Sequence, residues 1–276
     1  MAMASPCDVL MEIEDGSLAQ QILDAIAAEA WRIEDKFSRY KKDNIIDKIN
    51  HSQGKAVSVD EETARLLDFA NELFELSEGM FDVTSGVLRQ LWTFDGSDNL
   101  AQADAVNQVL ARIGWQKVIW NDGQVTLPAG MEIDLGGIGK EYAVDRCVQI
   151  ARQMTGESVL VNFGGDLAVS TARNNNAFWS VGRLVTGSDE AYSMFQLYQG
   201  AIATSGDAHR FLLKDGVRYS HILNPKTGWP VIDAPHTVSV AAATCVEAGM
   251  LSTMAMLQGE QAEAFLKLQE VDYWID

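Results

Sequence analysis

The sequence predicts an α+β fold with antiparallel sheets. Helical and strand patterns mix along the 276 residues without the regular strand–helix alternation of a parallel sheet. The strand pattern at 117–127 has a central Asp-Gly turn, which indicates an antiparallel hairpin. A hydrophobic fraction of 47% and only five prolines allow a large core, and the length favours a single domain of two merged halves over residues 1–276.

The N-terminal half contains two long predicted helices. The first covers 18–36, where apolar residues recur at helical spacing: Ile22, Ala25, Ile26, Ile33 and Phe37. The second covers 58–79, with Ser58 or Asp60 as its cap and Gly79 at its end. The other patterns predict a strand at 5–13, a short helix at 43–50, a loop at 80–92, a helix at 101–114 and the hairpin at 117–127.

The C-terminal half contains most of the predicted strands. A helix follows the glycine-rich stretch 134–140, with a predicted buried face of Ala143, Val144, Cys147, Ile150 and Ala151. Residues 158–170 predict one strand that Gly164 and Gly165 interrupt, because a glycine pair marks a bulge or a close backbone approach. Further strands are predicted at 177–185, 193–206, 218–225 and 236–245, and further helices at 246–259, ended by Gly259, and at 261–268.

The composition excludes several classes of partner. A net charge of −18 makes nucleic acid and anionic membrane surfaces poor partners, so an anionic ligand must meet a local positive site. The three cysteines share no metal-ligand spacing and form no disulfide framework. The N-terminus lacks a signal-peptide pattern and no apolar run reaches membrane-span length, so we expect a cytoplasmic protein, or a periplasmic one if a leader was removed.

The stretch DLGGIGK at 134–140 is the first candidate motif. Its glycines let backbone N–H groups approach a ligand, and a helix start supplies a partial positive charge for phosphate. It is neither a Walker A loop nor a dinucleotide fingerprint, since Tyr142 stands at the last glycine position of the latter. By itself, the stretch favours a structural turn over a phosphate site.

Three further motifs are weak individually. These are FGGD at 163–166, the turn-rich segment at 203–231, and EAGMLSTMAM at 247–256. His209 and His221 lack a zinc-ligand spacing, but His221 lies beside a Pro-Lys-Thr-Gly turn and is a candidate site residue. Gly249 and Thr253 share one face of a helix, where core packing is the alternative interpretation.

Together these motifs resemble the FAD:protein FMN transferase family, known as ApbE. The family pattern Asp-Leu-Gly-Gly-Ile-Ala/Gly-Lys-Gly-Tyr-Ala-Val-Asp stands here as DLGGIGKEYAVD, and Asn-x-Gly-Gly-Asp stands as NFGGD. The family's Ser-Gly-Asp and Ser-His-Ile-x-(Asp/Asn)-Pro-x-Thr-Gly stand as SGD and SHILNPKTG, and the segments FSRYKKDNIIDKIN and GMFDVTSGVLRQLW also match. An ordered set of motifs from Met3 to Gly259 is far more specific than any one of them.

The resemblance implies a two-lobed, T-fold-related body with antiparallel sheets flanked by helices and FAD between the lobes. It implies transfer of FMN from FAD to a Ser or Thr of a target protein, such as a redox-pump or reductase subunit, with release of AMP and help from Mg²⁺. His221 matches the catalytic histidine, a candidate base for the acceptor hydroxyl. Positions matching the FAD site are Met3, Tyr40, Met80, Phe81, Asp82, Asp134, Lys140 and Ile222.

One departure from the family concerns the metal site. The family's metal-binding Asp is Gly249 here, which leaves the backbone near Gly137, the Thr253 hydroxyl and Ser252 as protein ligands for Mg²⁺. Glu247 lies on the other side of the predicted helix. Two alternatives therefore stand beside the transferase, an FAD-binding protein without the chemistry and an FAD pyrophosphatase. We expect Gly249→Asp to restore a metal ligand without much effect on the fold.

The C-terminus is a second departure. The chain stops at VDYWID, where the family usually continues with one more strand. Either the chain is truncated or that strand is short.

Overall fold

The structure, a computed structural model, describes residues 1–184, 192–207 and 210–276. Its α-helices are α1 Gly16–Phe37, α2 Ile45–Asn50, α3 Glu61–Leu76, α4 Ala103–Leu110, α5 Gly139–Met154, α6 Cys245–Leu257 and α7 Ala262–Leu268. Its strands are β1 Cys7–Met11, β2 Ala56–Ser58, β3 Ile119–Asn121, β4 Gln124–Thr126, β5 Val159–Phe163, β6 Asp166–Val169, β7 Trp179–Leu184, β8 Tyr192–Leu197, β9 Gly200–Gly206, β10 Phe211–Lys214, β11 Val217–Ser220, β12 Thr237–Ala242 and β13 Asp272–Ile275.

An antiparallel sheet in the order β1-β5-β6-β9-β12-β13 forms the centre of the molecule. Helices α5 and α6 pack against this sheet and against each other, and α1 packs on α5. The α+β class with antiparallel sheets is confirmed. The division into two merged lobes stays a prediction.

The helical periodicity correctly predicts the buried faces. In α1, Ile22, Ile26, Ile33 and Phe37 are buried, whereas Ala25 is only half-buried and Ala30 is buried instead. The predicted face of α5 is also buried, except that Val148 takes the place expected for Ile150.

The capping prediction is resolved in favour of one residue. Asp60 caps α3 by accepting a hydrogen bond from the Thr63 N–H, whereas Ser58 ends β2. The Asp122-Gly123 turn joins β3 to β4, and both of its residues have positive φ, as a type I′ hairpin turn requires.

Several predictions about strands are wrong in detail. Residues 158–170 form two strands, because Gly164 and Gly165 both have positive φ and make the two-residue turn of the β5–β6 hairpin instead of a bulge. Residues 193–206 also divide, into β8 and β9, and the strand predicted at 218–225 ends at Ser220. The predicted loop at 80–92 contains the 3₁₀ helix Val83–Gln90. His209, and Val185 at the end of a predicted strand, lie outside the described residues.

Smaller sheets stand around the central one. Strands β2, β4 and β3 form one, β7 and β8 another, and the β10–β11 hairpin leads directly into the segment that carries His221. Within the described ranges, no helix is long and apolar enough to cross a membrane.

Candidate functional site

A cleft of 1590 Å³ brings the sequence motifs together. It is larger than the roughly 300–1000 Å³ of most small-molecule pockets, so it can hold an extended ligand. Of the predicted site residues, those that line it are Met3, Tyr40, Met80, Phe81, Asp82, Asp134, Gly137, Lys140, His221, Ile222 and Thr253. Ser252 lies behind this surface and is fully buried.

Lys140 and Asp166 form an ion pair on one wall. Lys140 lies in the first turn of α5, and its Nζ lies 2.5 Å from Asp166 Oδ2, while the Thr204 N–H donates to Asp166 Oδ1. Burial lowers the pKa of Lys140, but the Asp166 carboxylate outweighs it and holds that pKa above its usual value. Lys140 is therefore a fixed cation, 27% exposed, facing the cleft.

A second ion pair joins Arg39 to Asp134. Arg39 Nη1 lies 2.5 Å from Asp134 Oδ2, and Arg39 Nη2 donates to the Tyr40 hydroxyl at 2.9 Å. A Cβ at Gly86 would lie 2.5 Å from Asp134 Cβ, so only glycine permits this approach. Tyr40 is 77% exposed, and the Arg39 guanidinium lies over its ring at 5.0 Å from the centroid, so the opposite face of the ring is available to stack on a planar group.

Asp82 builds the wall of the cleft. Its carboxylate accepts hydrogen bonds from the Thr84 N–H and hydroxyl and from the Trp115 N–H, so both oxygens are engaged within the fold. Beside it, the Phe81 ring lies against Gly137, where an added Cβ would be 3.2 Å from Phe81 Cε2. The motif therefore gives a rigid, partly aromatic surface facing the glycine-rich stretch.

The N-terminal segment is tied to the β5–β6 turn. The Gly164 N–H donates to the Pro6 carbonyl, and a Cβ at Gly164 would lie 2.8 Å from the side chain of Ser5. This close approach holds Met3 at the mouth of the cleft.

Helix α6 is positioned by α5. The Asp145 carboxylate accepts the N–H groups of Cys245 and Val246, at 2.8 and 2.9 Å, and so caps the start of α6. One turn beyond Gly249, Thr253 lines the cleft, and its hydroxyl lies 3.0 Å from Ser205 Oγ. Ser205 is the serine of the SGD motif, which the sequence interpretation had not assigned to the site.

His221 also lines the cleft. Its Nδ1 is 3.2 Å from the Arg210 carbonyl oxygen, and its ring contacts Phe94 edge-on at 6.2 Å. Burial, and then the charge of Arg210, lower the pKa of His221 below its usual value. The imidazole is therefore neutral at pH 7 and can accept a proton.

The structure contradicts the expectation for Gly249→Asp. A Cβ at position 249 would lie 2.5 Å from Glu141 Cγ and 3.1 Å from Glu141 Cδ, so the space is already filled. A larger side chain at 249 would overpack this contact and destabilise the fold. Sequence reasoning missed Glu141 because it lies on α5, a helix distant in sequence from α6.

The cleft is rich in cations for so acidic a chain. Its positive side chains are Arg39, Arg89, Lys140, Arg210 and Arg218. Of these only Lys140 was predicted, although Arg39 stands inside the FSRY segment and Arg218 shortly before SHILNP. Asp166, the last residue of FGGD, was likewise overlooked.

The residues present also suit a divalent cation. In the described part of the chain, no group of three His, Cys, Asp or Glu side chains could hold a metal. Mg²⁺ does not need such a cage, because it keeps several waters and uses one or two carboxylates with substrate phosphates. Hard oxygen atoms do line the cleft at Thr253 and at the backbone of Gly137, and the buried Glu141 Oε2 has no hydrogen-bond partner among the described residues.

The fold and the site define a class of protein. It is an α+β protein with a cleft in which glycine-rich backbone, aromatic rings and paired charges face a ligand. The sequence model described as the ApbE family matches residues 3–275, and the chain therefore belongs to the ApbE family.

Known proteins agree with this assignment. The FAD:protein FMN transferase of Treponema pallidum is 30% identical over 83% of this chain and 69% of its own length. The transferase of the same name from Vibrio cholerae is 28% identical over 90% of this chain and 76% of its own length. The crystal structure of the ApbE protein from Thermotoga maritima matches with a TM-score of 0.89 at 31% identity, over 100% of this chain and 92% of that one.

Proposed function

We propose that this protein is an FAD:protein FMN transferase. It binds FAD in the cleft and transfers the FMN portion to a Ser or Thr hydroxyl of a target protein, releasing AMP. The observation that carries the proposal is the convergence of the ordered motifs on one cleft of suitable size and charge. Relatives that carry this name match most of the chain.

The residues of the cleft have different roles in this proposal, according to their chemistry. Tyr40, Met80 and Phe81 offer aromatic and apolar surface to the flat rings of FAD, and Lys140 offers its ammonium to the pyrophosphate. Asp134 holds Arg39 in place at the same wall. Mg²⁺, when bound, would neutralise phosphate charge, with Gly137 and Thr253 as nearby oxygen donors.

The transfer needs a base for the acceptor hydroxyl. His221 is neutral and faces the cleft, so its imidazole accepts the proton as the acceptor oxygen bonds to the phosphorus of the FMN portion. The bond from that phosphorus to the bridging oxygen breaks, and AMP leaves with the oxygen. Ile222, the next residue, adds apolar surface beside the base.

Incubation of the protein with FAD, Mg²⁺ and an acceptor domain tests the proposal. We expect the acceptor to gain the mass of an FMN group, in step with AMP release measured by chromatography. AMP and free FMN in equal amounts without acceptor would identify an FAD pyrophosphatase instead. Tight FAD binding with neither product would identify an FAD-binding protein and refute the transferase.

The acceptor is proposed to be a protein with an accessible Ser or Thr, such as a redox-pump or reductase subunit. The −18 net charge argues against nucleic acid as a partner. The cytoplasmic compartment stays a prediction.

A further inference from the structure

Glu141 occupies the space beside Gly249 on helix α6. Its Cγ lies 2.5 Å from the position that a Cβ at Gly249 would take, and its Oε1 lies 3.2 Å from that position. Glu141 is only 9% exposed, yet it lines the cleft. Its carboxylate therefore stands where a side chain from position 249 would otherwise project.

The Glu141 carboxylate lacks a cation of its own. Lys140, its neighbour, is paired with Asp166, whose other oxygen accepts the Thr204 N–H. Glu141 Oε2 is buried and has no hydrogen-bond partner within the described ranges. A buried carboxylate without a partner is unfavourable, so this oxygen is satisfied either by a proton or by a cation that enters the cleft.

The pKa of Glu141 reflects the same lack of a cation paired with its carboxylate. Burial, and then the Asp166 carboxylate, raise this pKa to about 7. Within this one group of side chains, the carboxylates of Glu141 and Asp166 stand beside a single ammonium, that of Lys140. A divalent cation would reverse that balance, since it is the largest local charge wherever it binds.

Two other residues with hard oxygen atoms line the same cleft as Glu141. Thr253, whose hydroxyl lies 3.0 Å from Ser205 Oγ, follows Gly249 by one turn of α6, and Gly137 lies just before α5. In the family pattern, position 141 is glycine and position 249 is aspartate. Here glycine and acid are exchanged between the two contacting helices.

We propose that Glu141 supplies the anionic ligand for the Mg²⁺ ion at this cleft, so that the metal-binding carboxylate comes from α5 instead of α6. This inference rests on the proposed function. Glutamate has one methylene more than aspartate, and that length lets α5 fill the space left open by glycine on α6. The metal site is relocated and complete, and the protein is not a metal-deficient relative.

A competing explanation makes Glu141 a neutral side chain that only fills the space beside Gly249. Glu141→Gln distinguishes the two, because it keeps the shape and removes the anionic oxygen. Glu247→Gln is the matched control, since it removes the same charge from the first turn of α6 outside the cleft lining. FAD affinity is first measured for each variant in EDTA, and Mn²⁺, a probe for Mg²⁺, is then titrated into the FAD complex with free Mn²⁺ read by EPR.

We expect Glu141→Gln to weaken Mn²⁺ binding by at least about tenfold, since even residues that only orient metal ligands change affinity by 10–100-fold. FAD binding in EDTA should not weaken, and Glu247→Gln should match the parent in both measurements. An unchanged Mn²⁺ affinity in folded Glu141→Gln would overturn the inference. Absence of FAD binding by the parent protein would refute the proposed function instead.

Exchange of the two residues gives an independent test. Glu141→Gly alone should lose Mn²⁺ binding, and Gly249→Asp alone should lower the melting temperature because of the 2.5 Å contact. The double variant Glu141→Gly/Gly249→Asp should regain both the Mn²⁺ affinity and the melting temperature of the parent protein. If Glu141→Gly keeps the parent's Mn²⁺ affinity, or if the folded double variant does not regain it, the carboxylate at 141 is not the ligand.

Discussion

Lys140→Met is expected to separate the binding of FAD from that of riboflavin. Methionine keeps the apolar stem of Lys140 and removes the ammonium that faces the cleft. A charge-assisted contact to a phosphate contributes about 1.5–3 kcal/mol, which corresponds to a loss of roughly 10–150-fold in affinity. Riboflavin has no phosphate, so its affinity should change little.

The same substitution should also destabilise the protein. Asp166 is only 3% exposed and would lose its partner at 2.5 Å. Removal of one partner from a buried pair costs about 3–5 kcal/mol, and the partial exposure of Lys140 places this case near about 3 kcal/mol. Urea unfolding measured without ligand would give this value from the shift of the midpoint.

A second variant separates the loss of FAD affinity from the loss of stability. Lys140→Met/Asp166→Asn removes both charges, and the amide oxygen of the introduced asparagine can still accept the Thr204 N–H, so much of the stability should return. The loss in FAD affinity should remain. Isothermal titration with both flavins checks this, and equal losses for FAD and riboflavin would show that Lys140 does not contact the pyrophosphate.

Gly164→Ala should destabilise the protein by about 1–3 kcal/mol in urea unfolding, because φ is +64° there and the added Cβ would contact the N-terminal segment; a stability within error of the parent would refute the close approach. Hydrogen bonding to Arg32 lowers the pKa of Glu62 to about 2. The ionised Glu62 side chain therefore stabilises the folded protein at pH values above its unfolded pKa, and this contribution is lost as the pH falls from 5 towards 2. Urea unfolding at pH 5 and pH 3 should therefore show a smaller loss for Glu62→Gln than for the parent, and equal losses would contradict this. Because burial and Arg210 lower the pKa of His221, FMN transfer should decline only below the usual histidine range of about 6.5, and His221→Asn should abolish it; a decline that begins above pH 7, or an active variant, would exclude His221 as the base.

Much of the secondary structure could be predicted because it depends on local patterns. The buried stripe of α1 follows from residues at helical spacing, and the Asp122-Gly123 turn follows from the conformational preferences of two residues. The β5–β6 hairpin could not be settled this way, since a glycine pair permits a bulge as well as a turn. Only the pairing of Phe163 with Asp166 decides between them.

The sequence by itself determined the family, because the motifs and their order along the chain can be recognised without knowing where each motif lies in the fold. All of its predicted site residues except Ser252 line the cleft, from Met3 to Thr253. The role of an individual side chain was harder to predict from the sequence. Asp82 carries a carboxylate of the right type, but its oxygens are used within the wall.

Tertiary structure alone showed what lies beside Gly249. The family resemblance indicates a missing metal ligand at this position, and nothing local in the sequence connects it with Glu141 on another helix. The packing of α5 on α6 brings the two into contact, and Glu141, whose buried Oε2 has no hydrogen-bond partner among the described residues, lines the same cleft as Thr253 and Gly137. Charge and volume are properties of a site in space, so a local sequence pattern cannot show which residues from different parts of the chain supply them.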